Sequence, residues 1–147
     1  MYLLDTNHCS RIIAGDTVLL QALSQHLGDG VATSAIVRGE LIYMVHKSDR
    51  VAENLRTISA FLQTIAIYPV NREVADVYGK LKGGIITQLG PKDKAQRRNF
   101  TIQNLGFGEN DLWIAATVIH YNLTLLSTDS DFTRIQQIES FALDSWV

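Results

Sequence analysis

The sequence contains a single cysteine, Cys9, in 147 residues. No intramolecular disulfide can form and no thiolate-based zinc cluster can assemble within one chain, so Cys9 reads as a small packing residue. The four histidines, His8, His26, His46 and His120, are scattered. No HxxxH or HExxH pair sets two imidazoles on one helical face, which argues against zinc-hydrolase chemistry. No apolar run approaches the roughly 18 to 20 residues of a membrane span. The opening run Met1 to Asn7 lacks the basic, apolar and small-residue regions of a secretory signal. A cytoplasmic protein without a membrane segment is therefore expected. A strong basic excess is also missing. The formal net charge of −2 argues against a protein that binds nucleic acid with its whole surface.

What is present is the composition of a folded domain, 46% hydrophobic and 19% charged, in a chain long enough to bury a core and short enough to form one domain, residues 1–147. The charge is unevenly spread. Lys80, Lys82, Lys92, Lys94, Arg97 and Arg98 face only Asp93 over the same stretch, which is either a solvated loop or a patch that touches phosphates.

Tyr2-Leu3-Leu4 reads as a first strand that stops at the turn- and cap-forming Asp5-Thr6-Asn7. A short helix over Ser10–Ala14 and a second one capped by Asp16 and running through Leu27 follow, each ended by glycine. Val31-Ala32-Thr33 is the second strand. Ser34 caps a helix reaching Lys47, with Val37, Leu41, Met44 and Val45 at the spacing of one buried face. The pattern then predicts a helix over Val51–Thr64, a strand over Ile65–Tyr68, and a helix over Arg72–Lys82 capped by Asn71 and broken at Gly83-Gly84. The segment 83–108 shows no clear period. Beyond it lie a buried helix from Asn110 to Tyr121, a strand over Thr124–Ser127, a short helix over Asp131–Gln137 and an edge strand over Phe141–Leu143. Strands alternating with helices imply a mostly parallel sheet of four to five strands between two helical layers, a three-layer α/β/α arrangement. In such sheets ligands bind at the carboxyl ends of the strands, near a reversal of strand order.

That rule picks out four acids. Asp5 follows the first strand and Asp129 the fourth; Glu40 lies in the second turn of the helix after the second strand, and Asp111 opens the buried helix. Each alone has an ordinary alternative as a turn former, a solvated helix residue or a helix-dipole partner. Together, beside apolar sequence, they would be costly to bury without a cation. A ligand set of hard oxygens selects Mg²⁺ or Mn²⁺. Thr6, Asn7, Ser34, Thr128 and Asn110 are candidates to hold the carboxylates, with helix capping the simpler role for Ser34 and Asn110. Trp113 and Trp146 read as packing residues.

The run Leu4-Asp5-Thr6-Asn7, then Gly39-Glu40-Leu41, then Asn110-Asp111-Leu112-Trp113-Ile114-Ala115-Ala116, then Thr128-Asp129-Ser130-Asp131-Phe132 resembles PIN-domain ribonucleases, in particular VapC-type toxins, in order and spacing over nearly the whole chain. The resemblance implies a PIN-like fold and a metal-binding core at Asp5, Glu40 and Asp111, completed by Asp129, with Asp131 the second candidate for the last place. It further implies hydrolysis of RNA to a 5′-phosphate and a 3′-hydroxyl, a homodimer, and neutralisation by a cognate VapB-type antitoxin. An apolar groove lined by Ile12, Ile13, Leu41 and Val45 would then be a place for a partner helix to dock. The segment 83–108 is longer than the short connection usual in VapC-type toxins. Two other functions fit parts of the pattern: a PIN-fold housekeeping nuclease or idle binding module, and a phosphatase using Asp5 as nucleophile, although such a phosphatase would want an acid at Asn7.

Overall fold

A computed structural model describes residues 1–147. Five short strands, β1 (Tyr2–Leu4), β2 (Val31–Ser34), β3 (Ala66–Tyr68), β4 (Thr124–Leu126) and β5 (Ala142–Asp144), form one sheet in the order β3-β2-β1-β4-β5. Every pairing is parallel; Tyr2 sits opposite both Val31 and Thr124, and Leu4 opposite Leu126. Successive strand residues point to opposite faces. Leu3 and Leu4 are both fully buried, as are Leu125 and Leu126, so helices cover the centre of the sheet on both sides. The chain builds outward from β1 through β2 to β3, crosses over, and resumes with β4 on the other flank of β1. The reversal of strand order therefore falls between β1 and β4.

Capping residues set the helix starts. Asp16 accepts from the amides of Val18 and Leu19 at the head of α2 (Thr17–Gln25), Ser34 from Val37 at α3 (Ala35–His46), and Asn71 from Val74 at α5 (Arg72–Leu89). Between the last two lies α4 (Val51–Leu62). Two expected boundaries change by more than two residues. The first helix, α1, spans Thr6–Ile13, earlier than Ser10, because Asp5 is itself the cap and accepts from the amide of His8 at 2.7 Å. And α5 runs straight through Gly83-Gly84 to Leu89.

Two helical glycines cost about 1 kcal/mol each. Burying Leu81 and Ile85 of the same helix contributes about 1.5–3 kcal/mol apiece, so packing against the chain's last long helix outweighs propensity. Gly84 also has a steric reason: a Cβ there would lie 3.0 Å from Cγ2 of Ile138. The rest of 83–108 is a short helix, α6 (Lys94–Arg97), and a 3-10 turn over Ile102–Leu105, anchored by the buried Ile102 and Phe107. It leads into α7 (Glu109–Tyr121); α8 (Ser130–Gln136) then connects β4 to β5. Of Ile12, Ile13, Leu41 and Val45, expected to line an apolar groove, only the half-buried Ile13 reaches the surface. Ile12, Leu41 and Val45 are core residues, and the exposed apolar side chains of α3 are those of Tyr43 and Met44. No helix is long and apolar enough to cross a membrane.

Candidate active site

Asp5 leaves the end of β1, where its amide donates to the carbonyl of Leu126 at 3.2 Å and so extends the β1–β4 ladder to the switch point. Its carboxylate is almost wholly buried. Oδ1 accepts from the backbone amide of His8 at 2.7 Å and faces Nδ1 of His8 at 3.0 Å. Glu40 projects from the second turn of α3 with both oxygens held: Oε2 accepts from the hydroxyl of Thr6, and Oε1 from Nδ2 of Asn110 at 2.8 Å. Asp111 stands in the first turn of α7, beside Gly108. Asp129 caps α8 by accepting from the amide of Asp131 at 2.9 Å, and its own amide donates to Oγ of Ser127.

All four expected acids line one cleft of about 720 Å³, together with Thr6, Asn7, Asn110 and Thr128. Carboxylate oxygens of Asp111, Asp129 and Asp131 also lie within 4.8 Å of one another. Asp131 is thus close to the group, but Nη1 of Arg134 engages its Oδ1 at 3.0 Å. That guanidinium also donates to the carbonyl of Leu105 at 2.7 Å and lies 4.0 Å from the centre of the Phe107 ring, tying α8 to the turn before α7.

Burial pushes the Asp111 carboxyl up to about 7, and the negative charges of Asp129, Glu40, Asp131 and Asp5 push it the same way. The cleft lining includes no lysine or arginine. Clustered carboxylates with hard oxygen donors and no lysine or arginine among them are what a divalent cation such as Mg²⁺ or Mn²⁺ would relieve, so the residues present fit such an ion.

Three details depart from the sequence reading. Asn110 is not a cap: α7 starts at Glu109 after Gly108, and the Asn110 side-chain amide donates to Glu40 instead. His8, read as one of four scattered histidines, is fully buried against Asp5; its spacing three residues after Asp5, on a helix the acid itself starts, was the available signal. The basic stretch is partly paired. Lys80 pairs with Glu139, Lys82 with Glu109, and Arg97 donates to the carbonyl of Pro91, leaving Lys92, Lys94 and Arg98 as its exposed cations without a partner. Both tryptophans pack as expected, Trp113 stacked at 3.7 Å on Tyr78 and Trp146 at 4.7 Å on His26.

Fold and cleft together define a parallel α/β protein with an acidic site at the switch point of its sheet. The PIN domain family profile matches residues 2–138, and the chain belongs to that family. It is 29% identical over 150 residues to "Ribonuclease VapC2" of Rickettsia felis, covering 99% of this chain and 98% of the relative. Among solved structures it is similar to VapBC2 from Rickettsia felis bound to a DNA fragment from its promoter, with a TM-score of 0.78 and 27% identity over 99% of this chain and 98% of that one. DNA-bound VapBC from Salmonella typhimurium shares the fold, with a TM-score of 0.79 and 18% identity over 99% of this chain and 98% of that one.

Proposed function

We propose that this chain is a metal-dependent endoribonuclease of the VapC type, the toxin of a toxin–antitoxin pair, with Asp5, Glu40, Asp111 and Asp129 as its catalytic, metal-holding acids. The observation that carries the reading is the convergence of these four carboxylates in one cleft without a basic side chain among its lining residues. The relatives add to it, one being called a ribonuclease and the others being VapBC complexes on DNA. A VapB-type antitoxin and a homodimeric toxin are the partners this reading implies.

A bound Mg²⁺ or Mn²⁺ supplies positive charge against the negative charge that gathers on a phosphodiester under attack. The protein's own part is placement. Thr6 and Asn110 fix both oxygens of Glu40, so that carboxylate does not have to reorganise when substrate arrives. Asp111, the acid with the raised pKa, is the one whose charge depends most on a cation nearby. Tyr43 and Met44 form an exposed wall of the cleft, where an unpaired RNA strand can lie against apolar surface. The phosphatase alternative fits poorly, because Oδ1 of Asp5 already accepts from His8 and the residue is 5% exposed.

The test is cleavage of single-stranded RNA by purified protein in Mg²⁺ or Mn²⁺, in EDTA, and in EDTA followed by excess metal. Activity confined to the metal-containing samples is expected. Undiminished cleavage in EDTA refutes the metal mechanism.

A further inference from the structure

The buried histidine next to Asp5 joins two parts of the chain that the sequence keeps far apart. His8 has no exposed surface. Its Nδ1 meets Oδ1 of Asp5 at 3.0 Å, and its Nε2 meets the backbone carbonyl of Ser145 at 2.7 Å. Both partners present oxygens that accept, so the ring is seated between two acceptors, one at each nitrogen. With the His8 amide also on Oδ1 at 2.7 Å, that oxygen is engaged from two sides, and Oδ2 is left as the atom of Asp5 for a ligand in the cleft.

The Ser145 carbonyl is in turn held by its neighbour Trp146. This residue adopts a left-handed backbone with φ of 57°, a conformation a bulky side chain takes only when its surroundings impose it. Its ring stacks on His26 at 4.7 Å and meets Tyr2 of β1 edge-on at 5.0 Å. The tail is thereby clamped on the first strand and the end of α2, presenting one carbonyl to one buried imidazole.

We infer that His8 is a positioning residue for the proposed nuclease site, and that the tail segment Ser145–Trp146, through His8, sets the orientation in which Asp5 offers its free oxygen to a cation. This rests on the reading that Asp5 holds a metal ion. Loss of a partner that orients a metal-ligating side chain costs about 10–100-fold in metal affinity, which gives the size of the effect.

The experiment measures binding of Mn²⁺ alone to the full chain, by electron paramagnetic resonance, with no RNA present and with thermal unfolding recorded for each variant. His8→Asn places an amide nitrogen near the position of Nδ1 and keeps a donor for Asp5; His8→Gln places one near Nε2 and keeps a donor for Ser145. Mn²⁺ affinity is expected to fall about 10–100-fold in His8→Gln, to fall clearly less in His8→Asn, which keeps the contact to Asp5 and loses only that to the tail, and to fall by a similarly smaller amount in Trp146→Ala, which loosens the tail without entering the core. Equal impairment of the two His8 variants, or wild-type affinity in His8→Gln, overturns the inference. Unchanged affinity in Trp146→Ala removes the tail from it, and this variant decides the matter if the His8 variants do not fold. Absence of Mn²⁺ binding by the wild-type chain overturns the metal reading itself, a result distinguishable from wild-type binding with unperturbed variants.

Discussion

Asp111→Asn should make the metal-free protein more stable and the enzyme inactive. In the folded chain burial, and after it the charges of Asp129, Glu40, Asp131 and Asp5, raise the Asp111 carboxyl from its ordinary value of 3.8 to about 7. A carboxyl with a raised folded pKa binds more protons in the native state than in the unfolded one. Stability is therefore lost as pH rises between those two values and is not regained above them. A shift of this size corresponds to on the order of 4 kcal/mol at most, and about 2 kcal/mol once relaxation and solvent screening are allowed for. Asparagine removes the charge at nearly constant volume. In EDTA at about pH 8 the variant should gain those 2 kcal/mol or so; with a urea slope of about 1–3 kcal/mol per molar its midpoint moves up by about 1 M. Below about pH 3 the wild-type acid is largely neutral in both states and the two proteins should unfold alike. Excess Mn²⁺ at about pH 8 should reverse the order, since a ligand at about 100 times its Kd adds about 2.7 kcal/mol to the protein that binds it. Equilibrium urea unfolding at the two pH values, with and without metal, reads all of this. A variant no more stable than wild type in EDTA at the higher pH would show that neither burial nor the crowding of negative charge holds the Asp111 carboxyl up.

Asp5→Asn should abolish RNA cleavage and relieve growth arrest on expression while the circular dichroism spectrum is retained; wild-type toxicity in the folded variant removes Asp5 from the site. Neutralising Lys92, Lys94 and Arg98, the exposed cations of the basic segment that have no partner, should weaken RNA binding and flatten its salt dependence by about one unit of slope for each phosphate no longer neutralised, with Mn²⁺ affinity unchanged; an unaltered slope identifies a merely solvated surface. A VapB-type partner should inhibit by placing an arginine among the four acids, because a guanidinium meets the same demand for positive charge as a metal ion. Single replacement of arginines near the C-terminus of that partner should locate it, and full inhibition by every such variant, with undiminished Mn²⁺ binding in the complex, refutes this route.

Much of the fold was legible because local signals agreed with the tertiary outcome. β1 and β4 are short apolar runs bounded by residues that cap the next helix, and Asp16, Ser34 and Asn71 cap where their sequence neighbourhoods say they should. The acids could be found because parallel topology puts the carboxyl ends of β1 and β4 side by side. Legibility failed where one residue serves two purposes or where a distant contact decides. Asp5 both starts α1 and lines the cleft, so a helix that reads as beginning at Ser10 begins at Thr6. Gly83-Gly84 reads as a break, and nothing local announces that Ile138 needs the space beside Gly84. The partners of His8 and Asn110 are, apart from Asp5, the carbonyl of Ser145 and the carboxylate of Glu40; no periodicity or spacing rule reaches across such separations.

The first turn of α7 holds two acids that the fold treats in opposite ways. Burial would raise Glu109, but hydrogen bonds from Lys82 at 2.7 Å and from the Tyr78 hydroxyl bring it below its usual range. Two residues further on, Asp111 is given no cation and is surrounded by four other carboxylates. Neutralising an acid was within reach of this sequence, since α5 supplies the lysine that does so for Glu109. The contrast separates structural charge, which is paired and adds to the packing of α5 against α7, from charge kept unpaired at a cost to stability. Perturbed carboxyls that a fold could have compensated and did not are the mark of a functional site. Within this chain that mark falls on the cleft at the β1–β4 switch point, with the compensated pair Lys82–Glu109 as its internal control.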